Sequence, residues 1–215
     1  MKLLHIIATP RGSRSRTLPL ATQFLESVAG HRPDLEVTTL NLTRTVLPSI
    51  DDSLASIKDD LIAGVPIDTD EVPGWVRAEE LIAQFLAADS YLLTAPMWNF
   101  GLPYRLKHYI DCIVQPGHTF RFVPEGVEPL VTGRRMVCIT SRGSDYSAQS
   151  PYAPFDFQEP YLRAIFGFIG ITDIEFVHAQ PMDHSALREA ALAAAHAAVD
   201  QVAERPHWTA VAAVG

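Results

Sequence analysis

The sequence predicts an α/β fold in which a five-stranded parallel sheet is covered by helices on both faces. Three observations carry this. Short runs rich in Leu, Ile and Val recur along the chain and stop abruptly at polar, Gly or Pro residues, as strands buried on both sides do. Segments of helical periodicity separate these runs, each long enough to carry the chain from one parallel strand to the next. The chain has 215 residues, 47% hydrophobic and 20% charged, which suits one domain spanning 1–215 with a sizeable core.

The elements follow in order. Residues 3–8 form the first apolar run and read as a strand; helical spacing then covers 17–29. Residues 36–40 alternate apolar and polar, the pattern of a more exposed strand. The stretch 51–80 holds nine acids against Lys58 and Arg77 and reads as a solvated helical face and connection. A helix is expected over 71–88, a buried strand over 91–95 and a helix over 103–114. The last strands are 136–140 and 174–178, flanking a helix over 159–168. The Ala-rich tail, 185–204, is interrupted by Arg188, Glu189, His196 and Asp200 at spacings that leave one apolar face, so it reads as a docking helix. No internal repeat or dividing linker is visible.

Composition removes several classes of function. A formal charge of -8 disfavours nucleic acid and anionic lipid as partners unless basic residues gather locally. The two cysteines, Cys112 and Cys138, have neither Cys-x-x-Cys spacing nor a neighbouring His, which argues against a disulfide framework or a metal site and for a reducing compartment. The first apolar run is too short for a secretory signal, and no segment reaches membrane-spanning length, so a cytoplasmic location is expected.

In an open parallel sheet, ligands bind beyond the carboxyl ends of the strands, so the segments following each strand are the place to look. The first strand is followed by Thr9-Pro10-Arg11-Gly12-Ser13-Arg14-Ser15-Arg16-Thr17, with four hydroxyls and three arginines in an acidic protein. Such a loop, feeding a helix N-terminus, presents N–H and hydroxyl donors to a phosphate, although Ser15 or Thr17 could equally be a simple helix cap. It has neither the G-x-G-x-x-G pattern nor the G-x-x-x-x-G-K-[ST] pattern, which removes the main support for a kinase or ATPase. A cysteine phosphatase would need an Arg six positions beyond its Cys, where this chain has His118 and Ser144.

The strand ending at Ala95 leads into Pro96-Met97-Trp98-Asn99-Phe100-Gly101-Leu102-Pro103, a stiff loop that can lie against a flat ring such as a flavin and offer backbone groups to its edge. The strand ending at Thr140 leads into Ser141-Arg142-Gly143-Ser144-Asp145-Tyr146. Singly, Trp98 and Phe100 read as core or interface aromatics and Gly143 as a turn residue. All three loops, however, leave the same edge of the inferred sheet.

The second loop, the following Leu106-Lys107-His108-Tyr109-Ile110-Asp111 and Gly117-His118-Thr119-Phe120-Arg121-Phe122 together resemble the FMN-dependent NADH azoreductase family of flavodoxin-like quinone reductases. The likeness continues through Thr140-Ser141-Arg142-Gly143, Glu159-Pro160-Tyr161-Leu162 and 166–173. The resemblance implies a flavodoxin-like fold and a homodimer with FMN near the interface. NADH or NADPH would reduce the FMN, and a quinone, azo compound or nitroaromatic would reoxidise it. Carried over by position, it implies that Thr9, Ser15, Arg16 and Thr17 hold the ribityl phosphate. Pro96, Met97, Trp98, Asn99 and Phe100 would bracket the isoalloxazine, and Ser141, Arg142, Gly143 and Ser144 would reach its pyrimidine edge. The chain departs from the pattern at Thr9, where a serine is usual, at Pro19 in the first helical turn, and over 144–157, a segment expected to shape the substrate pocket.

Hydride transfer to a flavin needs orientation and charge compensation from the protein and no acid–base dyad, in line with the absence of one here. No catalytic residue is therefore assigned; Tyr146 and His118 are candidates for proton donation, and His5 reads as a structural histidine. Two alternatives stand beside the enzyme: a flavodoxin-like electron carrier that docks through its acidic face, and a pathway-specific flavin tailoring enzyme.

Overall fold

A computed structural model describes residues 1–65 and 72–210. The five predicted strands form one parallel sheet: β1 (Lys2–Ile7), β2 (Glu36–Asn41), β3 (Ser90–Pro96), β6 (Arg135–Ser141) and β7 (Asp173–Ala179), in the order β2-β1-β3-β6-β7. Winding reverses between β1 and β3, since the chain goes outward from β1 to β2 and then returns across it to β3. The switch point predicted to bear the site therefore lies at the carboxyl ends of these two central strands.

The strands run slightly beyond their apolar runs because ladder bonds continue into polar ends, Ser90 pairing with Arg135 and Pro96 with Ser141. Strand β2 is the exposed edge, as its alternation indicated, with only Leu40 buried among its six residues.

Period-two alternation sorts the strand side chains between two cores. Leu3, Leu92, Val137, Ile139 and Val177 face α1 (Thr17–His31), α6 (Arg188–Ala203) and Trp208 of the short α7 (Pro206–Thr209). Leu4, Ile6, Leu93, Met136 and Cys138 face the other way, onto α3 (Pro73–Leu86), α4 (Tyr104–Ile113) and α5 (Glu159–Ile169). Tail helix α6 docks against α1 as expected, beginning three residues later than its pattern suggested.

The acidic stretch contains a true helix, α2 (Asp52–Ala63), capped by the Asp51 carboxylate accepting from Leu54 N at 3.2 Å. It covers Trp75 of α3 with Leu54 and Ile57 and leaves Asp52 and Asp59 in solvent. The expected helix start at Glu71, together with Asp68 and Asp70, lies outside the described residues.

The sequence reading did not anticipate an antiparallel hairpin, β4 (Phe120–Val123) and β5 (Gly126–Pro129), pinned by a bidentate Arg121–Glu128 pair at 2.7 and 2.9 Å. Its strands are too short, and too rich in Gly, Pro and charge, to stand out as apolar runs. Among the described residues, no helix is long and apolar enough to cross a membrane. Both cysteines are free and buried, and no cluster there could hold a metal ion.

Candidate functional site

The three loops meet. A cleft at the carboxyl end of the sheet is lined by Thr9, Arg11 and Arg16 from the first, Pro96, Met97 and Trp98 from the second, and Ser141, Arg142 and Gly143 from the third. A fourth segment, following β7, adds Met182 and Asp183. The rule that located the other three loops would have found it too, since Gln180-Pro181-Met182-Asp183 follows the fifth strand directly.

The first loop makes a 3-10 turn at Gly12–Arg14 and enters α1. Thr9 is 4% exposed and its Oγ1 accepts from Arg11 N at 3.4 Å. Ser15 and Thr17 are buried with their hydroxyls 3.1 Å apart, and Ser15 Oγ accepts from Leu18 N at 3.3 Å. Ser15 thus serves as a helix cap, and neither hydroxyl lines the cleft. The N–H groups of Arg16 and Thr17 have no partner among the described residues. Pro19 has no N–H to donate in this turn, and α1 accommodates it there.

Arg16 donates from Nη1 to Met182 O at 2.9 Å, and Arg188 Nε reaches the same carbonyl at 2.8 Å. Desolvation and the neighbouring Arg188 hold the Arg16 guanidinium below its usual range, opposed by Asp183. This corner of the cleft is therefore positive, with Arg11, Arg16 and Arg188 against one carboxylate.

The second loop leaves β3 with Met97 N donating to Ser141 O at 2.8 Å, which carries the ladder into the cleft wall. It then reverses in a two-residue hairpin closed by Trp98 N to Gly101 O at 3.1 Å and Gly101 N to Trp98 O at 2.9 Å. Asn99 and Phe100 both take positive φ, 46° and 69°, the signature of a type I′ turn that usually favours Asn and Gly. Phe100 in that conformation is strained. Pro96 is buried and Met97 and Trp98 are half-buried; Asn99 and Phe100 sit exposed on the tip, with Phe100 5.3 Å from the Phe155 ring.

In the third loop, backbone and side chain part company. Arg142 N bonds to Ala179 O and Arg142 O to Met182 N, and Gly143 O accepts from Asp183 N. The Arg142 side chain, with the residue only 2% exposed, joins Asp156 Oδ2 at 2.9 Å and Gln158 Oε1 at 3.3 Å. The N–H groups of Gly143 and Ser144 have no partner among the described residues, although Ser144 is not in the cleft lining.

Gly143 does not have a positive φ, so the conformational freedom a glycine offers is not needed here. A Cβ here would press on the Asp183 carboxylate, an exposed side chain that would have to turn aside. Among the proton-donor candidates, Tyr146 stands 6.3 Å from Tyr152 and His118 packs edge-on to Trp75 at 5.7 Å, outside the cleft lining. His5 is buried, 3.3 Å from Thr94 Oγ1, as a structural histidine would be.

Known proteins resemble this chain over most of its length. The chain is 37% identical over 206 residues to the FMN-dependent NADH:quinone oxidoreductase of Nostoc punctiforme, covering 95% of this chain and 99% of that one. It is 38% identical over 214 residues to FMN-dependent NADH:quinone oxidoreductase 3 of Pseudomonas fluorescens, covering 96% and 99%. Among solved structures, an FMN-dependent NADH-azoreductase from Bacillus anthracis in complex with FMN superposes with a TM-score of 0.80 at 28% identity, over 94% of this chain and 99% of that one. The family described by a flavodoxin-like fold matches residues 1–203, and with these relatives it shows where the sequence stands: the chain belongs to that family.

Proposed function

We propose that the protein is an FMN-dependent oxidoreductase that passes electrons from NADH or NADPH to quinones, azo compounds or nitroaromatics by double displacement. The observation that carries this reading is the cleft itself, where a positive corner adjoins a stiff aromatic loop, with unpaired N–H groups in the loops after β1 and β6. Relatives named for this activity match nearly the whole chain.

The residues present fit FMN. Thr9, Ser15, Arg16 and Thr17 form its phosphate loop, Arg16 acting by charge, Arg16 and Thr17 by free N–H groups, and Ser15 by capping the helix start that presents them. Pro96, Met97, Trp98, Asn99 and Phe100 lie along the ring, with the rigid hairpin limiting its movement. Ser141, Arg142, Gly143 and Ser144 face its pyrimidine edge, and the free N–H groups of Gly143 and Ser144 are the donors there, because the Arg142 backbone is bonded to Ala179 and Met182 and its guanidinium to Asp156. Bound FMN supplies the hydride-accepting ring, and the protein's task is to orient it, compensate charge beside it and exclude water.

The whole chain, 1–215, acts as one domain, paired as a homodimer with the helix over 103–114 in the interface and residues 117–122 near the flavin. We place it in the cytoplasm, in keeping with two buried free thiols. Steady-state oxidation of NADH with a quinone tests the reading, with parallel double-reciprocal lines expected. Intersecting lines would refute double displacement, and negligible turnover with FMN bound would leave an electron carrier. Light scattering should return twice the 23.7 kDa chain mass.

A further inference from the structure

One tripeptide outside the cleft lining touches both loops that address the flavin ring. Phe157 N donates to Phe100 O at 3.0 Å, holding the tip of the strained hairpin. Gln158, wholly buried, donates from Nε2 to Pro96 O at 2.9 Å and accepts from Arg142 Nε at 3.3 Å. Asp156 takes Arg142 Nη1 on Oδ2 at 2.9 Å, while its Oδ1 accepts from Gln158 N and Glu159 N at 3.0 and 3.1 Å at the head of α5. The aromatic loop is thus held at both ends, and the third loop by its arginine, from a single point just ahead of α5.

The chemistry selects an amide at position 158. Its two buried partners are a carbonyl oxygen, which needs a donor, and a guanidinium, which needs an acceptor. A carboxylate would oppose the first and an ammonium the second. We propose that Gln158, seated by Asp156, is a positioning residue that sets the gap between loops 96–100 and 141–144 and thereby the affinity for FMN. The proposal rests on the FMN reading and adds to it a residue that does not touch the cofactor. A turn with two non-glycine residues at positive φ persists only where its surroundings hold it, and this contact set provides the hold.

The test is FMN binding to the apoprotein, followed by quenching of flavin fluorescence, with apoprotein melting recorded in parallel. Gln158→Leu leaves Pro96 O and Arg142 Nε unpaired and should weaken FMN binding by ~10-fold or more. Gln158→Glu keeps the acceptor for Arg142 but sets a carboxylate oxygen against Pro96 O, and at matched apoprotein melting it should still weaken binding at least about threefold. Leu81→Ala, in the core beneath α3, supplies a comparable loss of melting temperature away from both loops and should bind FMN as wild type does. Wild-type affinity in Gln158→Glu overturns the proposal, as does a loss in Leu81→Ala equal to that in the Gln158 variants. A wild-type protein that binds no FMN overturns the cofactor reading and this proposal with it.

Discussion

Replacing Gly143 by Val tests the cleft at the point where two distant segments touch. A Cβ at this position meets Asp183 Oδ2 at 2.4 Å and Cγ at 3.2 Å, so the carboxylate must swing by most of an ångström. Asp183 is exposed, and turning its side chain off a preferred rotamer costs about 0.5–1.5 kcal/mol. The γ-methyls of Val add an overpacking strain of about 1–3 kcal/mol at most, relieved by solvent on one side. The displaced carboxylate also crowds the positive corner, and a loss of about 1.4 kcal/mol there is a tenfold weakening of FMN binding. Fluorescence quenching measures that affinity, and urea denaturation of the apoprotein measures the strain. The decisive variant is the double substitution Gly143→Val with Asp183→Ala, which removes the clashing group and should recover most of both losses. If the double variant binds FMN as weakly as Gly143→Val alone, the contact with Asp183 is not the reason for a glycine at 143, and the reasoning fails.

His5 is neutral in the fold, its value lowered by burial from 6.5 to about 4. The unfolded chain binds the proton more readily, so stability is full above about pH 6.5 and falls toward pH 4, by a limit of about 3 kcal/mol. Urea midpoints at pH 7 and 4.5 should converge in His5→Gln relative to wild type, and equal pH slopes in the two proteins would refute this. Phe85→Ala removes a fully buried ring stacked 4.4 Å from Tyr91 and should cost about 3–5 kcal/mol in denaturant unfolding; a loss below about 1 kcal/mol would show that the site collapses freely. Phe100→Gly relieves a positive φ at an exposed tip, so apoprotein stability should hold or rise by up to about 1 kcal/mol while turnover with quinone falls. A clear loss of stability would mean that the Phe155 contact outweighs the strain.

The sequence alone carried the fold and the place of the site. Strands buried on both faces must be continuously apolar and the exposed edge strand alternates, so all five appeared in the right positions, and the parallel order made their carboxyl ends the place to search. Thr9, Arg16, Met97, Trp98, Ser141 and Gly143 were legible because each lies at the end of a strand or in the loop that leaves it. Tertiary contact decided what those residues do there. The residue opposite Gly143 lies 40 positions on, at Asp183, and Gln158 reaches Pro96 across 62 positions, so no local pattern records either pairing. Nor does spacing say which way a side chain turns: Arg142 stands in a cleft loop, but its guanidinium is drawn into the protein by Asp156, and Ser15 turns its hydroxyl to a helix N–H. Periodicity registers burial, which a residue shares with its neighbours along the chain. The direction of a hydrogen bond depends on a partner that only folding brings near.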